Sequence, residues 1–230
     1  MSTDVLIVGV GGQGVMTAAE TLARAALAAG LEATKTEMAG MSQRGGVVCS
    51  QVRIGGHIEA TEVRPGQAQL LVAFEAAEGL RWSHYLAPQG RAFVDAWRAV
   101  PPVVSSGQFE YPKEPADTMR AAGVDVVELD ARSIAARLGD VRLANSVMLG
   151  AAAGSLPYAP EVLRAEVLRR FGRNAALADA NARAFDAGRD LAAQVPAIRL
   201  AARASLSVRL PDHQAEITPS LASDSMSARA

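Results

Sequence analysis

Two glycine turns carry the residues of this chain best suited to chemistry. The first, Gly9-Val10-Gly11-Gly12-Gln13-Gly14, lies between the apolar run 5–8 and an Ala-rich amphipathic segment, 15–29. Glycine there lets the chain turn tightly and lets another molecule approach the backbone. A helix starting directly afterwards offers unpaired N–H groups and the positive end of its dipole, a cradle for an anion. The second turn, Ser42-Gln43-Arg44-Gly45-Gly46, places one guanidinium that can fork onto a carboxylate or a phosphate. Gln13, Ser42 and Gln43 add neutral hydrogen-bonding groups, useful for polar recognition and equally for loop packing. The candidate site residues are therefore Gly11, Gly12, Gln13, Gly14, Ser42, Gln43, Arg44, Gly45 and Gly46. In the alternative reading Arg44 pairs an internal acid such as Glu37 and only fixes its loop.

A nicotinamide-binding unit follows its glycine turn with an acidic side chain at the end of the second strand, about 20 residues on, to hold ribose hydroxyls. Glu32 and Glu37 stand near that place, but a dehydrogenase half does not require the second glycine turn. Other chemistries find less support. No G-x-S-x-G elbow occurs, and no Gly-Lys-Ser/Thr follows a glycine turn. His57, His84 and His213 are far apart and form no metal-ligand spacing, so no metal site is expected. Cys49 is the single cysteine, whereas an iron–sulfur cluster takes about four thiolates. It sits in a strand-like run, 47–54, as a small buried apolar residue.

The elements that position these turns can be read along the chain. A strand at 5–8, a helix at 15–29 and a strand at 32–36 make a β-α-β opening. Residues 47–54 and 58–63 around Gly55-Gly56 suggest a hairpin, and hence a mixed sheet. A β-α unit follows at 69–74 and 75–86. Pro88-Gln89-Gly90 turns the chain into an extended run at 91–95, with another at 103–104 and a proline-broken loop at 111–115. A late strand at 124–129 leads into helices at 131–138 and 143–153, interrupted at Gly139-Asp140. Pro160 starts a helix with Leu163, Val167, Leu168 and Phe171 on one face. Asn174 caps a last helix, with Leu177, Ala180, Ala184 and Leu191 as its apolar face. The fold class is thus α/β: a Rossmann-like mixed β-sheet flanked by helices, with a helical C-terminal part from about residue 131.

A chain of 230 residues, 50% hydrophobic and 20% charged, fits one domain, expected over 1–204. The stretch 205–230, rich in Ser and Ala without apolar period, is expected to be a disordered tail. A net charge of −1 gives no field for nucleic acid. The apolar run near Asp4 is too short for a signal core or a membrane span, so neither membrane nor secretion is expected and the cytoplasm is.

The stretch VLIVGVGGQGVMTAAETLARAALAAGLEATKTEMAGMSQRGGVVCSQVRIG resembles the gamma-type domain of 2-oxoacid:ferredoxin oxidoreductases. It joins G-x-G-G-Q-G, a strand, S-Q-R-G-G and a further strand in that family's order. LLVAFEAAEGLR and NSVMLGAAAGSLP resemble its later segments, so the likeness runs over roughly residues 5–171. Pyruvate-type relatives show Gly-Pro-Glu before the Arg-Gly pair. Met41-Ser42-Gln43-Arg44-Gly45-Gly46 instead favours the indolepyruvate branch. The resemblance implies a heteromeric enzyme for aryl pyruvates, in which a large alpha subunit holds thiamine diphosphate, magnesium and 4Fe-4S clusters. Electrons pass to ferredoxin and the acyl group to coenzyme A, while the smaller chain binds no cofactor by itself. The cradle's anion would then be a substrate carboxylate, a coenzyme A phosphate or a partner's side chain, with Met38 and Met41 at a subunit interface. A freestanding NAD(P)-binding oxidoreductase and a non-catalytic adaptor remain the alternatives.

Overall fold

Strand β1 (Thr3–Val10) is apolar on both faces because it lies inside the sheet, where both faces are covered. Val5 and Ile7 pack beneath α1 (Val15–Ala28), while Leu6 and Val8 point to the opposite side. The computed structural model describes residues 2–39, 46–99 and 110–195. The remaining strands are β2 (Glu32–Ala39), β3 (Val47–Gly55), β4 (Ala68–Ala73), β5 (Leu86–Asp95) and β6 (Asp125–Leu129). The order is β2-β3-β1-β4-β5-β6. β1, β4, β5 and β6 run parallel, and β3 is antiparallel to both β1 and β2.

Helices cover both faces. α2 (Ala76–Trp82) and α3 (Pro115–Ala121) bury Ala76, Ala116 and Met119 on one side. α1, α4 (Ala131–Arg137), α5 (Ala144–Ala153), α6 (Pro160–Arg169) and α7 (Ala175–Ala193) pack on the other. This is the α/β mixed sheet with a helical C-terminal part that the sequence implies.

Three local readings need correction. The expected hairpin arm at 58–63 is not a strand, because both edges of β3 are already paired, by β1 and β2. Side chains hold the returning segment instead: Arg53 Nη1 donates to the Ala60 carbonyl at 2.9 Å, and Gln51 Oε1 accepts from Val63 N–H at 2.7 Å. Residues 88–90 form no separate turn, for β5 runs through them and absorbs them as a register shift against β4. The buried face of α7 is Asn181, Ala184, Phe185 and Gly188, leaving Leu177 and Leu191 exposed. Glycine explains that rotation: a Cβ on Gly188 would lie 1.9 Å from the Val147 carbonyl oxygen, and one on Gly150 2.0 Å from that of Phe185. The α5 and α7 backbones therefore touch where the small residues are, not where the leucines are. The run 103–104 and the stretch 205–230 lie outside the described residues.

Candidate functional site

In a doubly wound sheet, ligands bind at the carboxyl ends of the strands where the chain order reverses. Here that point lies between β1 and β4, since α1 leads from β1 towards β2 and the later strands are added on the other side. The first glycine turn sits on it. Gln13 straddles the gap: its Oε1 accepts from Val10 N–H at 2.7 Å, and its Nε2 donates to the Phe74 carbonyl at 2.5 Å. Gly9 makes room for that side chain, because a Cβ there would lie 2.5 Å from Gln13 Oε1. The Gln13 amide is thereby spent on the loop.

Gly12 and Gly14 adopt positive φ, 99° and 80°, the left-handed region that favours glycine. Gly14 is the N-cap of α1, with no side-chain cap and no acidic residue in the first turn, so the helix dipole is uncompensated by its own chain. Asn145, at the start of α5, donates through Nδ2 to the carbonyls of Gln13 at 3.2 Å and Gly14 at 3.0 Å.

The second turn meets the first at one point. Gly11 N–H donates to the Gly46 carbonyl at 2.9 Å, joining the end of β1 to the start of β3. Ser42, Gln43, Arg44 and Gly45 lie outside the described residues. Glu37, the acid offered to Arg44 in the alternative reading, has Lys35 Nζ 2.8 Å from its Oε1.

A cavity of about 470 Å³ opens beside Gly12, Gln13 and Gly14. α1 contributes Thr17 and Thr21; α5 and α7 contribute Ser146, Leu149 and Asn181. Arg132, Arg142 and Arg170 bring three guanidinium groups to its wall. Arg142 is paired with Asp140 at the surface, and the guanidinium holds the Asp140 carboxyl down at about 2. Arg132 and Arg170 have no carboxylate partner among the described residues; Arg132 lies 4.6 Å from the centre of the Trp97 ring. Asp95, at the carboxyl end of β5, also lines the cavity. Its burial pushes the carboxyl up to about 6, against the hydrogen bonds it accepts from Trp97 and Ala131 N–H. The α1 N-terminus without a side-chain cap, two guanidinium groups without a carboxylate partner among the described residues and one carboxyl raised by burial thus line a single cavity.

Sequence reasoning singled out the glycine turn, which lines the cavity, and did not name Asn145, Asp95, Arg132 and Arg170, which line it too. Asp95 was detectable as an acid ending a parallel strand, and Asn145 as a polar residue opening an apolar helix. The arginines gave no signal above the chain's general arginine bias. Cys49 is fully buried in β3, where burial and the nearby Glu78 charge raise its thiol to about 12.

The pyruvate ferredoxin/flavodoxin oxidoreductase family model matches residues 4–191, all six strands but the first residue of β1 and all but the end of α7. The chain belongs to that family. It is 36% identical to indolepyruvate oxidoreductase subunit IorB of Archaeoglobus fulgidus over 165 residues, covering 70% of this chain and 82% of the relative. To the subunit of the same name from Thermococcus kodakarensis it is 37% identical over 193 residues, 80% of this chain and 93% of the relative. Solved structures share the fold. The gamma subunit of a keto/oxoacid ferredoxin oxidoreductase from Geobacter sulfurreducens superposes with a TM-score of 0.62 at 24% identity, covering 84% of this chain and 99% of its own. A 2-oxoglutarate:ferredoxin oxidoreductase from Magnetococcus marinus, described with 2-oxoglutarate, coenzyme A and succinyl-CoA bound, gives 0.68 at 21% identity, covering 89% of this chain and 34% of its own. This chain is a subunit of an oxidoreductase of the indolepyruvate ferredoxin type, as the resemblance implied, and the freestanding nicotinamide reading is set aside. No helix among the described residues is long and apolar enough to cross a membrane.

Proposed function

We propose that this chain is the smaller subunit of an indolepyruvate-type 2-oxoacid:ferredoxin oxidoreductase. In this reading it supplies an anion cradle to a reaction whose cofactors sit in a larger alpha subunit. The observation that carries the proposal is the cavity at the β1/β4 switch point, with the uncapped N-terminus of α1 on one side and Arg132 and Arg170 on the other. Its likeness to subunits named for indolepyruvate supports the substrate class.

The chain's own residues do not fit the cofactors. An iron–sulfur cluster finds one cysteine, fully buried. Among the described residues no group of three or more His, Cys, Asp or Glu side chains could hold a metal ion. The α1 N–H groups and the guanidinium groups bind and orient an anionic reactant, a 2-oxoacid carboxylate or a coenzyme A phosphate. α5 and α7 shield it from water. Thiamine, clusters, ferredoxin docking and a cytoplasmic setting belong to the assembled enzyme in this proposal.

The test is anaerobic purification of the tagged chain from its native host, with iron and thiamine measured in the eluate. A large partner carrying stoichiometric thiamine and several irons is expected. A lone, colourless protein overturns the reading, and full turnover by the partner without this chain reduces it to an adaptor.

A further inference from the structure

We infer that Asn145 is a positioning residue: its carboxamide holds the carbonyls of Gln13 and Gly14 so that the N–H groups opening α1 face the cavity. The inference rests on the proposed cradle. A primary amide has two hydrogens, and here two carbonyl oxygens receive them, at 3.2 Å and 3.0 Å. The opposite amide orientation would set its oxygen against both carbonyls, so the donors must point at the loop. With its donors spent, Asn145 has nothing left to offer an anion, and it acts on the ligand only through the loop.

The fit is mutual. Asn145 Nδ2 lies 2.8 Å from where a Cβ on Gly14 would stand, so Gly14 is required by its φ of 80° and also by the amide packed against it. The Gly14 carbonyl accepts from Ala18 N–H at 2.9 Å as the first α1 hydrogen bond. The Asn145 amide occupies its second lone pair and fixes the peptide plane that aims the following N–H groups.

The residue next to Asn145 is anchored to α7. The neighbouring Ser146 hydroxyl donates to Asn181 Oδ1 at 2.6 Å, and Asn181 Nδ2 donates to the Leu177 carbonyl at 2.8 Å, with Ser146 and Asn181 both buried. The first turn of α5 is thus tied to α7 through Ser146 and to the glycine loop through the adjacent Asn145. This gives the NSVMLGAAAGSLP segment a role at the site that its apolar helix pattern does not announce.

The test uses the assembled complex and three variants: Asn145→Ala, Asn145→Asp and Gly12→Ala. KM and kcat are measured with an aryl pyruvate and with coenzyme A, beside the thermal midpoint of the complex. A cradle that binds reactant and transition state alike changes KM and spares kcat. Asn145→Ala is expected to raise KM for one of the two anions about tenfold, equivalent to about 1.4 kcal/mol, with kcat nearly unchanged. Asn145→Asp raises the same KM further, because its carboxylate opposes both carbonyls and the bound anion. Gly12→Ala, strained at φ 99° yet without a steric neighbour, raises it too.

If Gly12→Ala raises a KM while both Asn145 variants leave the KM values unchanged, the cradle stands and the positioning role falls. A lowered midpoint or kcat with unchanged KM in the Asn145 variants likewise overturns it, leaving a purely structural residue. If none of the three variants changes either KM, the cradle itself is wrong and the inference goes with it.

Discussion

Replacing Asp95 with Asn stabilises the chain at neutral pH, in proportion to how far burial has displaced the carboxyl. Asp95 is 3% exposed, and desolvation raises it from the ordinary aspartate value to about 6, with the Asp130 charge adding to the rise. A carboxyl raised on folding adds stability below its unfolded value near 3.9 and loses that contribution as pH climbs through the folded value, here between about 4 and 6. The displacement corresponds to about 3 kcal/mol at 1.36 kcal/mol per pH unit, so at pH 7 the ionised side chain withholds roughly that much from the fold. Asn carries no charge and keeps an oxygen to accept from Trp97 and Ala131 N–H.

The assay is the midpoint difference between variant and wild type, followed by thermal unfolding from pH 4 to pH 7. The difference isolates Asp95 from carboxylates such as Glu20, Asp130 and Asp186, whose ion pairs and hydrogen bonds lower them and whose stability is lost on acidification instead. The gap should be near zero at pH 4 and grow to roughly 6–12 °C in favour of Asn by pH 7, at about 2–4 °C per kcal/mol for a chain of this size. A gap independent of pH, or one favouring aspartate at pH 7, refutes the reasoning.

Substitutions at two further positions test the scaffold. Gly188→Ala drives a Cβ to within 1.9 Å of the Val147 carbonyl oxygen, so α7 must move off α5. The gain in helix propensity, about 1 kcal/mol, does not offset this, and a net loss of about 2 kcal/mol or more is expected from the urea midpoint; a stabilised variant would contradict the packing described. Arg53→Ala removes the cation facing the nearly buried Asp4 at 2.9 Å and frees the Ala60 carbonyl, with an expected loss of about 3 kcal/mol. Arg53→Lys should recover only part of it, because one ammonium cannot span both acceptors as a guanidinium does; full recovery in the same urea titration would rule that out.

The elements of this fold were legible wherever local pattern and tertiary position agree. The apolar run of β1, the glycine turn, Pro160 at a helix start and Asn174 as a cap, accepting from Leu177 N–H at 3.1 Å, all state their role within a few residues. The failures share a cause of another kind. The segment 58–63 has strand composition, but β3 had no free edge to offer it, and edge occupancy is a property of the whole sheet. Leu177 and Leu191 outrank Gly188 in hydrophobicity, yet backbone contact between α5 and α7 decides which face is buried. At the site, Gly11 through Gly14 announce themselves by spacing. Asn145 lies more than 130 residues away and acts through two backbone carbonyls, a relation that no local window contains.

The antiparallel strand β3 decides what the glycine turn is for. Without it the order β2-β1-β4-β5-β6 would be an ordinary doubly wound sheet, with the carboxyl end of β2 beside the loop and Glu37 within reach of a ribose. Wedged between β1 and β2, β3 moves Glu37 two strand spacings away, about 9.5 Å, where Lys35 takes its charge. In place of that acid, β3 delivers Gly46 to the loop, hydrogen-bonded to Gly11. The feature that closes a dinucleotide site on its sugar side is thus exchanged for a second turn, while Asn145 and the arginines complete the other wall. In the proposed function, one inserted strand turns the same N-terminal grammar from a closed cofactor pocket into an anion cradle, the form a subunit needs when the reacting cofactor belongs to its partner.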